Sequence, residues 1–108
     1  MAKKRESRRQ KKIREGLEEE FPGSWWKKIH GGWFQDGGIP DLIGCVCGLF
    51  FAFEIKEPDG EIDPLQEENI DDIHIAGGCA AEVVTLEQAI KLVYNALRKA
   101  GRLPKKGR

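Results

Sequence analysis

The sequence predicts a small α/β protein, a mixed sheet flanked by helices, and three observations predict it. Residues 49–56, Leu-Phe-Phe-Ala-Phe-Glu-Ile-Lys, are crowded with aromatic and branched side chains and read as a strand. The apolar run at 41–47 precedes it with Gly48 between, so the two form an antiparallel hairpin. Downstream, helix, strand and helix patterns alternate, which calls for a crossover connection and hence a sheet mixing parallel and antiparallel pairs. At 108 residues the chain has room for one domain, 1–108, with one modest core.

Each element has its own local reason. Over residues 5–20, Ile13 and Leu17, with Phe21 just beyond, recur at helical spacing amid charge, which predicts one amphipathic helix despite Gly16; Pro22-Gly23 ends it. Residues 24–30 read as a short strand, with Trp25 and Trp26 packing between helix and sheet, and the Gly31-Gly32 and Gly37-Gly38 pairs frame a loop. After the strand at 49–56, Glu57-Pro58-Asp59-Gly60 supplies turn chemistry. Asp63 then caps a helix that tolerates Pro64 in its first turn. Leu65, Ile70, Ile73 and His74 form its inward stripe, and Gly77-Gly78 stops it through a left-handed cap. Residues 79–84 read as a further strand, and Thr85 with Gln88 is a capping box opening a helix that runs to about Ala100, where Gly101 ends it.

The chemistry-bearing residues sit on the hairpin. Alternation along 49–56 puts Ala52, Glu54 and Lys56 on one face and Phe51, Phe53 and Ile55 on the other. The hairpin returns Asp41 to the end where Glu54 and Lys56 lie. Two carboxylates and an amine at one point suit metal-dependent phosphodiester cleavage: Asp41 and Glu54 would hold Mg²⁺ or Mn²⁺, with the backbone carbonyl of Ile55 as a third oxygen. Lys56 would orient a water or neutralise charge at phosphorus. The plainer reading of Glu-x-Lys is a surface salt bridge, but Phe50 to Phe53 place this pair at the edge of a buried region, where a carboxylate needs a partner or a metal. Gln66 reads equally well as the capping-box partner of Asp63 and as a group near Lys56.

With Gly-Ile-Pro-Asp-Leu-Ile-Gly at 38–44, Phe-Glu-Ile-Lys at 53–56, Gly60, Gln66, Ala76-Gly77-Gly78 and Glu82-Val83-Val84, the chain resembles the PD-(D/E)xK nuclease superfamily, in its compact stand-alone VRR-NUC branch of phages and prophages. The resemblance covers most of residues 28–92. It implies a three-layer nuclease core with a mixed central sheet, with Asp41 and Glu54 as metal ligands, Lys56 as the catalytic lysine and Gln66 beside the active site. It also implies a Glu on the first helix completing the metal site; Glu6 opens the helical run and is the match, with Glu15, Glu18 and Glu19 on the same segment.

Formal net charge is zero, but its distribution is not neutral. Residues 1–14 hold eight Lys or Arg and one Glu, and residues 98–108 hold six and no acid, leaving four basic against 17 acidic residues between. Such ends grip a polyanion through counterion release and without sequence preference. The expected partner is DNA, branched or duplex, contacted by Lys3, Lys4, Arg5, Arg8, Arg9, Lys27, Lys28, Lys105 and Lys106, with Trp33 and Phe34 as candidates for exposed base contacts. No stretch approaches the roughly 20 apolar residues of a membrane span and no secretory leader is recognisable, so the expected setting is intracellular, the cytoplasm of a bacterial or phage-infected cell. Cys45, Cys47 and Cys79 lack zinc-site spacing and read as buried free thiols, and His30 and His74 as an ordinary loop residue and a partly buried helix residue. Small size and exposed aromatics fit a homodimer. The competing function is a catalytically silent DNA-binding module or scaffold on the same fold.

Overall fold

The computed structural model describes residues 2–29, 37–61 and 63–103, with side chains from residue 7 onward. In chain order these form α1 (Ala2–Glu20), β1 (Trp25–Lys28), β2 (Leu42–Val46), β3 (Leu49–Ile55), α2 (Pro64–Ile75), β4 (Cys79–Val83) and α3 (Leu86–Lys99). The strands make one sheet in the order β1-β2-β3-β4. The first three pair antiparallel and β4 joins β3 in parallel, with α2 as the crossover. The expected mixed sheet with flanking helices is therefore present.

The β2–β3 hairpin turns through Cys47 at φ 51° and Gly48 at φ 80°. Two consecutive positive φ values give the turn whose twist matches antiparallel strands, and Gly48 meets its half at no steric cost. The hairpin's register pairs Leu42 with Phe53 and Val46 with Leu49.

Phe51, Phe53 and Ile55 project to one face and are completely buried. Ile13 and Leu17 of α1 and Ala89, Val93 and Leu97 of α3 cover them, each helix using one stripe at its own period. Trp26 lies over both phenylalanines, with ring centroids 5.9 Å from each. Burying such a side chain is worth about 1.5–3 kcal/mol, so this aromatic layer is a large part of what holds helices to sheet. Two glycines serve it by lacking a side chain. Gly44 faces Trp26 across β1–β2, where a Cβ would run into the indole. Gly16 leaves the gap on α1 into which Leu86 packs, which is why a poor helix former stands mid-helix.

The other face carries Ala52 and Ala80, both buried and small enough for α2 to approach. The stripe that α2 turns toward the sheet is Gln66, Asn69, Ile70 and Ile73, half-buried. Leu65 is not part of it, contrary to the sequence expectation: it is 51% exposed and lies over Gly37 and Gly38. Trp25 also departs from expectation at 55% exposed, because consecutive strand residues point oppositely and only Trp26 faces the core. The thiols are free, but Cys45 and Cys47 are exposed and Cys79 half-buried. Cys45 is on the half of this face beyond α2, and Cys47 is in the turn.

Both downstream helices begin with the capping boxes read from sequence, Asp63 with Gln66 and Thr85 with Gln88. Helix α1 begins earlier than residue 5 and ends at Glu20 as expected. No helix among the described residues is long and apolar enough to cross a membrane.

Gly44→Ala drives a methyl into the Trp26 ring in a layer with no slack. The expected cost is about 1–3 kcal/mol, seen as a lower urea midpoint with tryptophan emission as the probe. An unchanged midpoint would show that the indole yields freely and that the close approach carries no constraint.

Candidate active site

Beyond the Leu42–Phe53 pair the backbone ladder of the hairpin cannot continue. The position opposite Ile55 is Pro40, which has no N–H to offer the Ile55 carbonyl. The Ile55 N–H is taken instead by a side chain: it donates to Asp41 Oδ2 at 2.8 Å. On its other edge the Asp41 carbonyl accepts from Ile29 N–H, also at 2.8 Å, which ties the segment to the end of β1. Asp41 is thus held from both sides, half-buried, at the mouth of the hairpin.

Glu54 stands across from Asp41, one step past the Leu42–Phe53 pair. Their backbone groups point to the outer neighbours, so this is a non-hydrogen-bonded position, where Cα atoms are about 4.5 Å apart and side chains emerge on one face. Glu54 is 4% exposed. Like charges directly opposite are unfavourable and burial sharpens the cost, which a cation held by both carboxylates would offset. Lys56, half-buried, follows on the same face, and its backbone N–H continues the β3–β4 ladder by donating to Val83 O at 2.9 Å.

The loop before Asp41 is fixed by α2. Gly38 has φ 85°, and a Cβ there would lie 2.6 Å from the Leu65 backbone carbonyl, so only glycine fits. Asn69 Nδ2 donates to Gly38 O at 2.8 Å. Asn69 was not singled out in the sequence; its signal was its place one turn after Gln66 on a helix beside the Gly-Ile-Pro-Asp loop.

Gln66 sits in the first turn of α2 on the stripe facing the sheet, and its Oε1 accepts from Asp63 N–H at 3.0 Å while Asp63 Oδ1 accepts from Leu65 N–H at 2.7 Å. The capping role weighed from sequence is therefore real. Arg9 turns toward the sheet, donating to Val84 O at 2.7 Å and pairing with Glu57 at 3.3 Å, which staples α1 to the ends of β3 and β4. Arg8, Lys27 and Lys28 lie instead along a groove between α1 and β1. Glu6 is within α1, but its side chain, like those of Lys3, Lys4 and Arg5, lies outside the described residues, as do Lys105, Lys106, His30, Trp33 and Phe34.

A further carboxylate comes from the parallel pairing, which sets Glu82 beside Glu54 on the same face. Glu82 is exposed, and among the described residues no three His, Cys, Asp or Glu side chains converge as a metal cluster. What the hairpin end offers is two carboxylates, Asp41 and Glu54, across from one another. That fits a hard ion such as Mg²⁺, which keeps several waters and takes one or two protein carboxylates.

No family model matches the chain, and no curated protein matches it. Among solved structures, one described as a VRR_NUC domain matches 77% of this chain and 91% of its own, with a TM-score of 0.60 and 22% identity. The likeness is one of fold, and it defines the class: an α/β architecture with a four-stranded mixed sheet and three flanking helices.

Asp41→Asn retains an Oδ acceptor for Ile55 N–H, and Asp41→Ala does not. In thermal melts with EDTA present, the Asn variant is expected near the parent and the Ala variant about 1–2 kcal/mol less stable. Equal melting of parent and Ala variant would remove the structural role given to this bond.

Proposed function

We propose that this protein is a divalent-metal-dependent nuclease hydrolysing phosphodiester bonds in DNA. The observation carrying the reading is the opposition of Asp41 and Glu54 at the mouth of the β2–β3 hairpin, on one face with Lys56. Fold likeness to the VRR_NUC structure supports it independently.

Asp41 and Glu54 would hold Mg²⁺ or Mn²⁺, with the Ile55 carbonyl between them and, in the full set, Glu6 from α1. Bound there, the ion supplies Lewis acidity at the scissile phosphate and lowers the pKa of a water. Lys56 places its ammonium where the attacking water is oriented and where negative charge grows on phosphorus as the new P–O bond forms and the old one breaks. The water's proton ends on the departing sugar oxygen. Gln66, at the sheet-facing end of α2, lines the same approach to Lys56.

Residues 1–108 act as one nuclease domain, with the basic ends 1–14 and 98–108 adding nonspecific grip on branched or duplex DNA. One domain makes one cut, so symmetric cleavage of a junction needs a homodimer. The setting is DNA inside a bacterial or phage-infected cell.

Purified protein with Mg²⁺ or Mn²⁺ is expected to cut a panel of linear and branched DNAs, with EDTA abolishing cleavage and Lys56→Ala lowering the rate about 100-fold or more at unchanged fold. Calorimetry should show Mn²⁺ binding lost in Asp41→Asn. Cleavage undiminished by EDTA would overturn the mechanism; DNA binding without cleavage of any substrate would define a silent binding module on this fold.

A further inference from the structure

Between α1 and the edge strand β1 runs a groove of about 710 Å³ lined by Arg8, Lys11, Arg14, Lys27 and Lys28, with Trp26 also in its wall. Among the described residues no carboxylate lines it. Among the described residues only Arg14 of these five is ion-paired, to Glu18 at 3.3 Å on the exposed helix surface.

The cations are there for a periodic reason. Arg8, Lys11 and Arg14 recur every three residues, so they follow one side of α1 at about 4.5 Å of rise per step. That is comparable to the charge spacing of about 3.4 Å per strand along a nucleic-acid axis. Lys27 and Lys28 are consecutive on a strand and leave it on opposite sides, so the β1 edge itself forms the second wall. Lys28 Nζ donates to Ser7 Oγ at 3.3 Å, bridging the walls. The groove lies on the α1 side of the sheet and meets the Asp41–Glu54 face only around the β1 edge: Lys27 pairs with Ile43 and emerges on that face, and Ile29, the residue after Lys28, donates its N–H to the Asp41 carbonyl.

We propose that this groove carries the sugar–phosphate backbone of the DNA strand on one side of the bond to be cut. The inference rests on the nuclease reading for what happens at Asp41 and Glu54, but the groove makes its own claim about where DNA is held. Its contacts are with phosphates, so it fixes position and gives no sequence preference. It also gives part of the basic N-terminal end, joined by Lys27 and Lys28, a surface with defined shape.

The test measures binding without cleavage, by anisotropy of a short fluorescein-labelled DNA duplex in EDTA across a salt series. The variants are Lys11→Glu with Arg14→Glu on the helix wall, Lys27→Glu on the strand wall, and Lys91→Glu on exposed α3 as a control charge-matched to Lys27→Glu. Circular dichroism checks that each is folded. The double variant is expected to weaken binding about tenfold or more at low salt and to flatten the log–log salt slope by roughly 1.8, the loss of two phosphate contacts on a duplex. Lys27→Glu should weaken binding alone, and Lys91→Glu should change it less than about twofold. Equal losses in groove and control variants would overturn the groove and leave only diffuse attraction. Weakened binding in a protein that cuts no DNA would keep the groove and sink the nuclease reading. Cutting by a protein whose binding ignores the groove would do the reverse.

Discussion

The β2–β3 hairpin closes on a side chain at the end where its backbone ladder stops. Pro40 has no N–H to give the Ile55 carbonyl, and Asp41 Oδ2 accepts from the Ile55 N–H in place of a strand carbonyl. This exchange fixes several things at once. It locks Asp41 opposite Glu54, leaves the Ile55 carbonyl facing a proline, and ends β2 so that the preceding loop can turn away toward α2. A plain residue in place of either would extend the ladder or fray it, and the carboxylates would no longer face one another. The surrounding structure answers to this point: Asn69 and Leu65 of α2 hold the Gly38 loop, β1 holds Asp41 through Ile29, and β4 holds Lys56 through Val83.

Holding that mouth open requires support from the opposite face, and the aromatic layer provides it. Phe51 and Phe53 alternate with Ala52 and Glu54 along one short strand, so the strand buried most deeply by Trp26, α1 and α3 is also the one that presents the acidic group. A carboxylate on a central strand is costly to place and hard to move, and a metal site profits from both properties. Arg9 completes the clamp, since its bonds to Val84 and Glu57 stop α1 from lifting off the strand ends where the chemistry is proposed.

Much of this was legible in the sequence where the signal is local. Strand alternation in 49–56, the Gly48 turn and the two capping boxes are short-range features, and the structure carries each of them. What was not legible depends on which side of an element meets a neighbour. Trp25 and Trp26 look alike in sequence, but one strand step decides that only Trp26 is buried. The stripe of α2 keeps Ile70 and Ile73 but takes polar Gln66 and Asn69 in place of Leu65, which covers glycines, and His74, which is exposed. Cys45 looks like a core residue until the sheet is seen to extend beyond α2. For the site, the meeting of Asp41 with Glu54 followed from hairpin geometry, whereas Glu82 required the parallel register of β4, which no local pattern specifies.

The same distinction bears on charge. Counted along the chain, basic residues fall at the ends and acidic ones in the middle, which suggests flexible tails around an acidic body. Folding rearranges that account. Helix α1 lays part of the basic N-terminal segment against β1, where Lys27 and Lys28 come from the acidic middle, so a cationic groove forms along the β1 edge, with the Asp41 and Glu54 carboxylates on the other face of the same sheet. An acidic pair alone would repel a phosphodiester, and a basic groove alone would bind it with no means of acting on it. Under the proposed function the two would divide the work: counterion release would hold the backbone, and the carboxylates would hold the cation. Neutral overall charge is then the sum of two opposed local fields, and the boundary between them falls where β1 pairs with the residue that ends β2.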